Sequence, residues 1–423
     1  MKAYTPQLLL VNIFRGTYLL PSATQQVNKF MQHPQPELSD IRKKNLSNDQ
    51  RVIYEQITQS AFICQKARGA LYQIFCSLDE TLGKTILIPA FHCPTVVQPA
   101  VLAGYKIQFY KINEDLSIDT DEVNNMINAD TAAIVVIQYF GFSFKSDAFK
   151  ETASINNCII IEDWSHSFLQ TSPLRLAGSN NSIATYSFWK IIPCVVGGGF
   201  INRTSKILNS TNYLKQSSTI ENIKINKRII ESFINNSNSE TLKNALAKFE
   251  SFRKKRVTNS VNSSDNEKIS PKETIEADHY PIEPSFFAKD LPLLSNALLY
   301  RADLELIARK RRENFNTYLE LTSGINLITP YFSMLPDDVC PWAFPIVLEN
   351  RNQFDFKLRK EGVPFFTFGE QLHPLVSDIK LISPEARKIS QYLSNSTLCL
   401  SAHQKLNRQE IEISLDKAKS ILG

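Results

Sequence analysis

Between Ala67 and Asn202, short β-branched runs alternate with stretches whose apolar residues recur every three to four positions. The runs TILIP (85–89), KIQFY (106–110), AAIVVIQYF (132–140), NCIIIED (157–163), IATYSF (183–188) and GGFIN (198–202) predict strands. Val, Ile, Phe and Tyr suit a pleated, half-buried surface, and Gly, Pro or Asn bounds most of these runs. The intervening stretches ARGALYQIFCSL (67–78), PTVVQPAVLAG (94–104), DEVNNMINAD (121–130) and KSDAFKETASIN (145–156) predict helices. Strands that alternate with helices imply an α/β fold: a mostly parallel sheet flanked by helices.

The flanks differ. Residues 1–60 carry turn and polar signals with little periodicity, and predict an extended arm followed by a helix near 48–65. Residues 204–256 are helical in pattern, and the polar, turn-rich stretch 258–285 reads as an exposed connection. A single long helix is expected over 293–321, then strands at WAFPIVLE (342–349) and VPFFTF (363–368), and a last helix from about Arg408. This gives an arm and helix over 1–60, a large domain over 61–256, a connection over 257–300 and a small C-terminal α+β domain over 301–423.

Composition narrows the function classes. A chain of 423 residues, 43% hydrophobic, can bury a sizeable core. Its net charge of +5 is small for that length, and the densest basic run, FRKKRV (252–257), is short, which argues against nucleic acid as a partner. Seven scattered cysteines without a C-x-x-C pair read as reduced thiols of a cytoplasmic protein. No stretch approaches the roughly 18 apolar residues of a membrane span. The histidines His92, His166, His373 and His403 follow no metal-ligand spacing, so no metal is expected.

The candidate chemistry lies between Cys158 and Phe200. The buried-looking run Ile159–Ile161 ends in Glu162 and Asp163, and the strand-like run near 183–188 leads into Ser187 and Lys190, followed by Gly197–Gly199. An acid at one strand end and a lysine at another suit a site at the C-terminal edge of a parallel sheet. Such a pair is what pyridoxal phosphate chemistry requires: an amine to bond the cofactor and an acid to keep its ring nitrogen protonated. Taken singly, each residue has a plainer reading. Asp163 can cap a helix or pair with a base, Lys190 can snorkel from the sheet edge, and the glycines can serve close packing or positive φ. Arg68 and Gly69 open a predicted helix, an ordinary start or a seat for a phosphate. His92 follows a strand and can stack on a flat ring, and His166 lies three residues after Asp163.

Several segments, in order, resemble the DegT/DnrJ/StrS-type aminotransferases: ARGALYQIF, IPAFHCPTVVQPAVLAGYKIQFYKINEDLSID, IEDWSHS, YSFWKIIPCVVGGG, the helix-forming run from Leu293, and STLCLSAHQKLNRQEIEISL. The resemblance covers roughly residues 60–423. It implies an aspartate-aminotransferase-type fold, a homodimer and pyridoxal 5'-phosphate as cofactor. It also implies transfer of an amino group, with glutamate as donor, to a keto-sugar nucleotide in polysaccharide or secondary-metabolite biosynthesis. By the same resemblance Lys190 is the Schiff-base lysine and Asp163 faces the pyridine nitrogen. His166 lies by the phenolic oxygen, Ser187, Arg68 and Gly69 by the phosphate, and His92 or Cys93 against the ring. The family's dehydratase branch carries histidine in place of the lysine, so Lys190 speaks for amino transfer. A catalytically silent homologue with a binding or regulatory role is the alternative.

Overall fold

A computed structural model describes residues 46–79, 82–144, 146–205, 217–235, 240–241, 243–244, 289–324 and 328–422. The expected arm over 1–45 and most of the expected connection lie outside the described residues, as does most of the helical pattern after 235.

In chain order, helix α1 (Asn48–Ser60) leads into strand β1 (Ala61–Cys64), then α2 (Ala67–Ser77), β2 (Thr85–Pro89), α3 (Pro94–Leu102) and β3 (Lys106–Tyr110). Next come α4 (Thr120–Met126), β4 (Thr131–Ile137), α5 (Lys150–Ile155) and β5 (Ile159–Trp164). The short pair β6 (Leu169–Gln170) and β7 (Arg175–Leu176) precedes β8 (Ile183–Tyr186), β9 (Gly198–Asn202) and α6 (Thr219–Asn235). After α7 (Leu293–Leu299) and α8 (Leu304–Thr322) come β10 (Thr329–Pro330), β11 (Ala343–Val347), α9 (Arg351–Lys360), β12 (Phe365–Phe366), α10 (Pro384–Ser396), β13 (Thr397–Ser401) and α11 (Arg408–Leu422).

Seven strands form the main sheet in the order β1-β9-β8-β5-β4-β2-β3. The run from β8 to β3 is parallel, and β9 and β1 close one edge by antiparallel pairing. Every residue of β4 and β5 is buried, as a central parallel strand covered on both faces requires. A second, wholly antiparallel sheet, β10-β11-β13-β12, belongs to the C-terminal part of the chain. Its own core forms around Phe315, Tyr318, Phe344, Leu398 and Leu400.

Three expectations change. The helix expected to reach residue 65 ends at Ser60, and AFIC pairs with β9 as an edge strand; Phe62 stacks on Phe200 with ring centroids 5.1 Å apart. The long helix expected over 293–321 is two helices. Asp303 breaks it by capping α8, its carboxylate accepting from Leu306 N–H at 3.0 Å, a role that short acidic side chains fill at helix starts. The strands read as 132–140 and 183–188 stop at Ile137 and Tyr186. Each runs into a single 3-10 turn, Tyr139–Gly141 and Phe188–Lys190, and those turns build the site.

Candidate active site

Side chains alternate across β5, so neighbouring acids face opposite sides. Glu162 shares its face with Trp164. Its carboxylate accepts from the Ser146 hydroxyl, from the Trp164 indole N–H at 3.0 Å and from Ser179 N–H at 2.9 Å. That is a structural acid, its acceptor sites occupied. Asp163 faces the other way. One carboxylate oxygen accepts from Ser165 N–H at 2.9 Å and from the Thr185 hydroxyl of the adjacent strand β8 at 3.3 Å. These bonds fix the carboxylate at the C-terminal end of the sheet.

Beyond β8, Ser187 opens the 3-10 turn that ends in Lys190, whose backbone N–H returns to the Ser187 carbonyl at 3.3 Å. The lysine is half-buried, with its amine among buried groups. Burial holds its pKa below the ordinary lysine value, and Arg68 adds to that, while Cys93, Asp163 and Cys399 oppose it. The amine lies over the ring of Trp342, 4.2 Å from its centroid. Val195, five residues on, has φ 64°, a left-handed conformation that a β-branched residue rarely adopts. The loop that presents the lysine is thus held in strain by its surroundings.

The glycines serve close approach rather than positive φ. A Cβ on Gly198 would lie 2.3 Å from Ala67 N, and one on Gly199 would lie 2.4 Å from the Phe62 carbonyl oxygen. Their bareness lets β9 press against the start of α2 and against β1. The start of α2, with Arg68 and Gly69, is thereby fixed beside the lysine turn. Its cap residue Lys66 offers the first turn no side-chain acceptor.

His166 is buried against Trp342, ring centroids 4.3 Å apart, and meets the edge of Phe368 at 4.6 Å. Its Nδ1 accepts from Phe140 N–H at 2.9 Å, so in the neutral ring the proton sits on Nε2. Burial, followed by Lys190, holds its pKa well below the usual histidine value. Phe140 reaches this position because it adopts φ 57° within the turn after β4.

The two candidates for stacking on a flat ring separate. His92 is fully buried, stacked on Phe109 at 5.2 Å and 4°. Because a carbonyl only accepts, its Nδ1–H donates to Pro89 O at 2.8 Å, and Nε2 accepts from His373 N–H at 3.2 Å. Both nitrogens are spent on backbone groups. Cys93 is half-buried, and its thiol acts on the Lys190 amine. The structure therefore brings Arg68, Cys93, Asp163, His166 and Lys190 into one electrostatic neighbourhood, with Ser187 and Gly69 on the turns beside them, and turns His92 into the core.

Sequence reasoning missed the contribution of the C-terminal part of the chain. Trp342, Phe368, Arg311 and Gln404 all reach this region; Arg311 and Gln404 lie within segments that carry the resemblance, yet none of the four was singled out as a site residue. Arg311 Nη2 donates to the Lys190 carbonyl at 3.2 Å across 121 residues of sequence, and Gln404 Nε2 donates to the Ile191 carbonyl at 2.9 Å.

Residues 59–261 match the DegT/DnrJ/EryC1/StrS aminotransferase family. A Campylobacter jejuni protein, UDP-4-amino-4,6-dideoxy-N-acetyl-beta-L-altrosamine transaminase, is 22% identical over 166 residues, which cover 38% of this chain and 44% of that protein. The match spans less than half of that relative's length. Among solved structures, Helicobacter pylori PseC, an aminotransferase of pseudoaminic acid biosynthesis, superposes with a TM-score of 0.61 at 15% identity, over 93% of this chain and 99% of PseC. The PLP form of a Streptococcus pneumoniae protein gives 0.59 at 14% identity over 92% and 99% of the two chains. A GDP-4-keto-6-deoxymannose-3-dehydratase with bound GDP-perosamine gives 0.60 at 15% over 89% and 93%. At these identities the likeness establishes the fold. The stretch that matches the DegT/DnrJ/EryC1/StrS aminotransferase family, residues 59–261, carries every member of the cluster from Arg68 to Lys190.

Proposed function

We propose that this chain is a pyridoxal phosphate-dependent aminotransferase that moves an amino group, with glutamate as donor, onto a keto-sugar nucleotide. The observation that carries the reading is the convergence of a fixed carboxylate, Asp163, and a lysine of lowered pKa, Lys190, at the ends of adjacent parallel strands. The residues present fit the cofactor. The donor set offers an acid for a ring nitrogen and an amine for a carbonyl. It also offers an N–H on His166 Nε2 for a phenolic oxygen, and a helix start with Arg68 for a phosphate.

Pyridoxal phosphate, when bound, supplies an electron sink for the carbon that carries the amino group. Asp163 would hold a proton on the pyridine nitrogen, and its bonds to Ser165 and Thr185 keep the carboxylate from turning away. Lys190 would bond the cofactor at rest, then take and return the substrate proton. A lowered pKa leaves part of the amine unprotonated near neutral pH, as a general base needs. Arg68, Gly69 and Ser187 would hold the phosphate, and Cys93 would lie against the ring.

The sugar-nucleotide substrate is supported by the Campylobacter transaminase and by PseC, whose names tie them to amino sugars. A lysine at position 190, where the dehydratase branch of the resemblance carries histidine, supports amino transfer over dehydration. Seven free thiols fit a cytoplasmic location, and the family resemblance carries a homodimer, which light scattering would check. The large domain over 61–256 and small domain over 301–423 complete the reading.

The protein purified with pyridoxal phosphate should show a near-visible absorbance band that borohydride bleaches and that Lys190→Ala lacks. Loss of that band on adding glutamate would mark the first half of the reaction. Absence of a band in the unaltered protein would overturn the proposal, and a band indifferent to every amine would favour the catalytically silent alternative.

A further inference from the structure

An amine that bonds and leaves a carbonyl within one turnover needs a place to rest between the two states. The geometry points to Trp342 as that place: we propose that it is a positioning residue whose ring seats the Lys190 ammonium whenever the lysine is not joined to a carbonyl group. This rests on the reading of Lys190 given above.

Lys190 Nζ lies 4.2 Å from the centre of the Trp342 ring, within the range where the negative face of an indole attracts a cation. A carboxylate seat would hold the lysine as a tight ion pair and keep it protonated. A ring face attracts it more weakly and does not compete with Asp163, one of whose oxygens is already engaged by Ser165 and Thr185. The other groups acting on the amine are Arg68 at the start of α2, Cys93 before α3, His166 after β5, and Cys399 in β13.

The seat is built. Trp342 immediately precedes β11, and its backbone N–H donates to the Phe140 carbonyl at 2.8 Å. Its ring packs on His166 at 4.3 Å and Phe366 at 4.7 Å. One guanidinium ties the seat to its occupant: Arg311 donates to the Trp342 carbonyl at 3.0 Å and to the Lys190 carbonyl at 3.2 Å. It also donates to the Pro341 carbonyl at 3.3 Å and to Gln404 Oε1 at 2.8 Å, and Gln404 in turn holds the Ile191 carbonyl at 2.9 Å. Arg311 is fully buried, and these four acceptors are all uncharged. A planar fork of donors fixes two backbone segments together in a way that a flexible lysine would not.

The test reads the amine without cofactor. The rate at which acetic anhydride modifies Lys190, followed by mass spectrometry across pH in the cofactor-free protein, gives its apparent pKa. Trp342→Leu should lower that pKa by about 0.4 to 1.5 units, the shift equivalent to losing a cation–ring attraction. Trp342→Phe, which keeps a ring and the fold with the smaller volume change, should lower it by less. A pKa that is unchanged or raised in both variants would overturn the seat, and if Trp342→Leu fails to fold, Trp342→Phe decides alone. A purely structural role for Trp342 would alter thermal stability without ordering the two pKa values this way. The outcome is separable from the proposed function. A shift without a borohydride-sensitive band in the unaltered protein would sink the aminotransferase reading and leave the seat, and a band without a shift would do the reverse.

Discussion

Glu162 and Asp163 are adjacent, chemically alike and both buried, yet their roles divide by the pleat of one strand. Glu162 is bonded by a hydroxyl, an indole and a backbone N–H. Glu162→Gln should therefore cost about 1–2 kcal/mol in urea unfolding, because the amide oxygen still accepts from the Trp164 indole and Ser179 N–H and the NH2 faces the Ser146 hydroxyl, but bonds to a charged acceptor become bonds to a neutral one. The cofactor absorbance band should stay as it was. Asp163→Asn should do the opposite. Asparagine keeps the bonds from Ser165 and Thr185 through its carbonyl, so stability should change little. The amide cannot hold a proton on a ring nitrogen, and the rate of amino transfer in single-turnover measurements should fall by about a hundredfold or more. Equal losses of stability in the two variants would contradict this division.

The lysine turn shows how elements deliver a side chain. β8 ends at Tyr186, and one 3-10 turn carries Lys190 around to face β5. Val195 then takes φ 64°, a conformation costing a non-glycine residue about 1–2 kcal/mol. Val195→Gly should raise the urea midpoint by an amount equivalent to about 1 kcal/mol, if the strain outweighs the chain entropy that glycine adds. A midpoint that falls would mean that the valine side chain, half-buried against the core, contributes more than the strain costs. At this scale the sequence was legible where an element is self-contained. The strands β2, β3 and β9 span the same residues as the runs read from the sequence, because local propensity and burial agree there. It was illegible at α8, where the capping of Asp303 outweighs a continuous helical pattern, and at β1, whose four residues are a strand only because Gly198 and Gly199 leave room beside them.

Across the whole molecule, four buried histidines share one electrostatic fate. Burial lowers the pKa of His92 to about 3 and that of His373 to about 4, and holds His166 and His403 well below the ordinary value. Their rings are engaged as neutral groups, His373 with Gln98 at 2.8 Å and His403 with Lys405 N–H at 3.1 Å. Above the unfolded histidine pKa of about 6.5, neither folded nor unfolded chain binds these protons, and stability does not depend on them. Below it, the unfolded chain takes up protons that the folded chain refuses, so stability falls as pH drops from about 6.5 toward 4. Each site contributes up to about 1.4 kcal/mol per pH unit, so four together approach about 5 kcal/mol per pH unit. Urea unfolding at pH 7, 6 and 5 should show this steepening loss, and His373→Gln should reduce the slope by about a quarter. A stability flat across that range would show that these histidines take up protons in the folded state.

The sequence by itself determined the alternation of strand and helix, the buried acid at the end of β5 and the lysine beyond β8, because period, propensity and chain proximity are local properties. It also carried a resemblance to the family that residues 59–261 match. Only the tertiary structure decided that Cys93 rather than His92 stays near the lysine, and that Trp342, Arg311 and Gln404 hold it from the C-terminal part of the chain. The physical reason is that these are matters of side-chain direction and of contacts between segments more than a hundred residues apart, such as Arg311 and Lys190. Such contacts leave no periodicity in the chain and exist only once both sheets have packed.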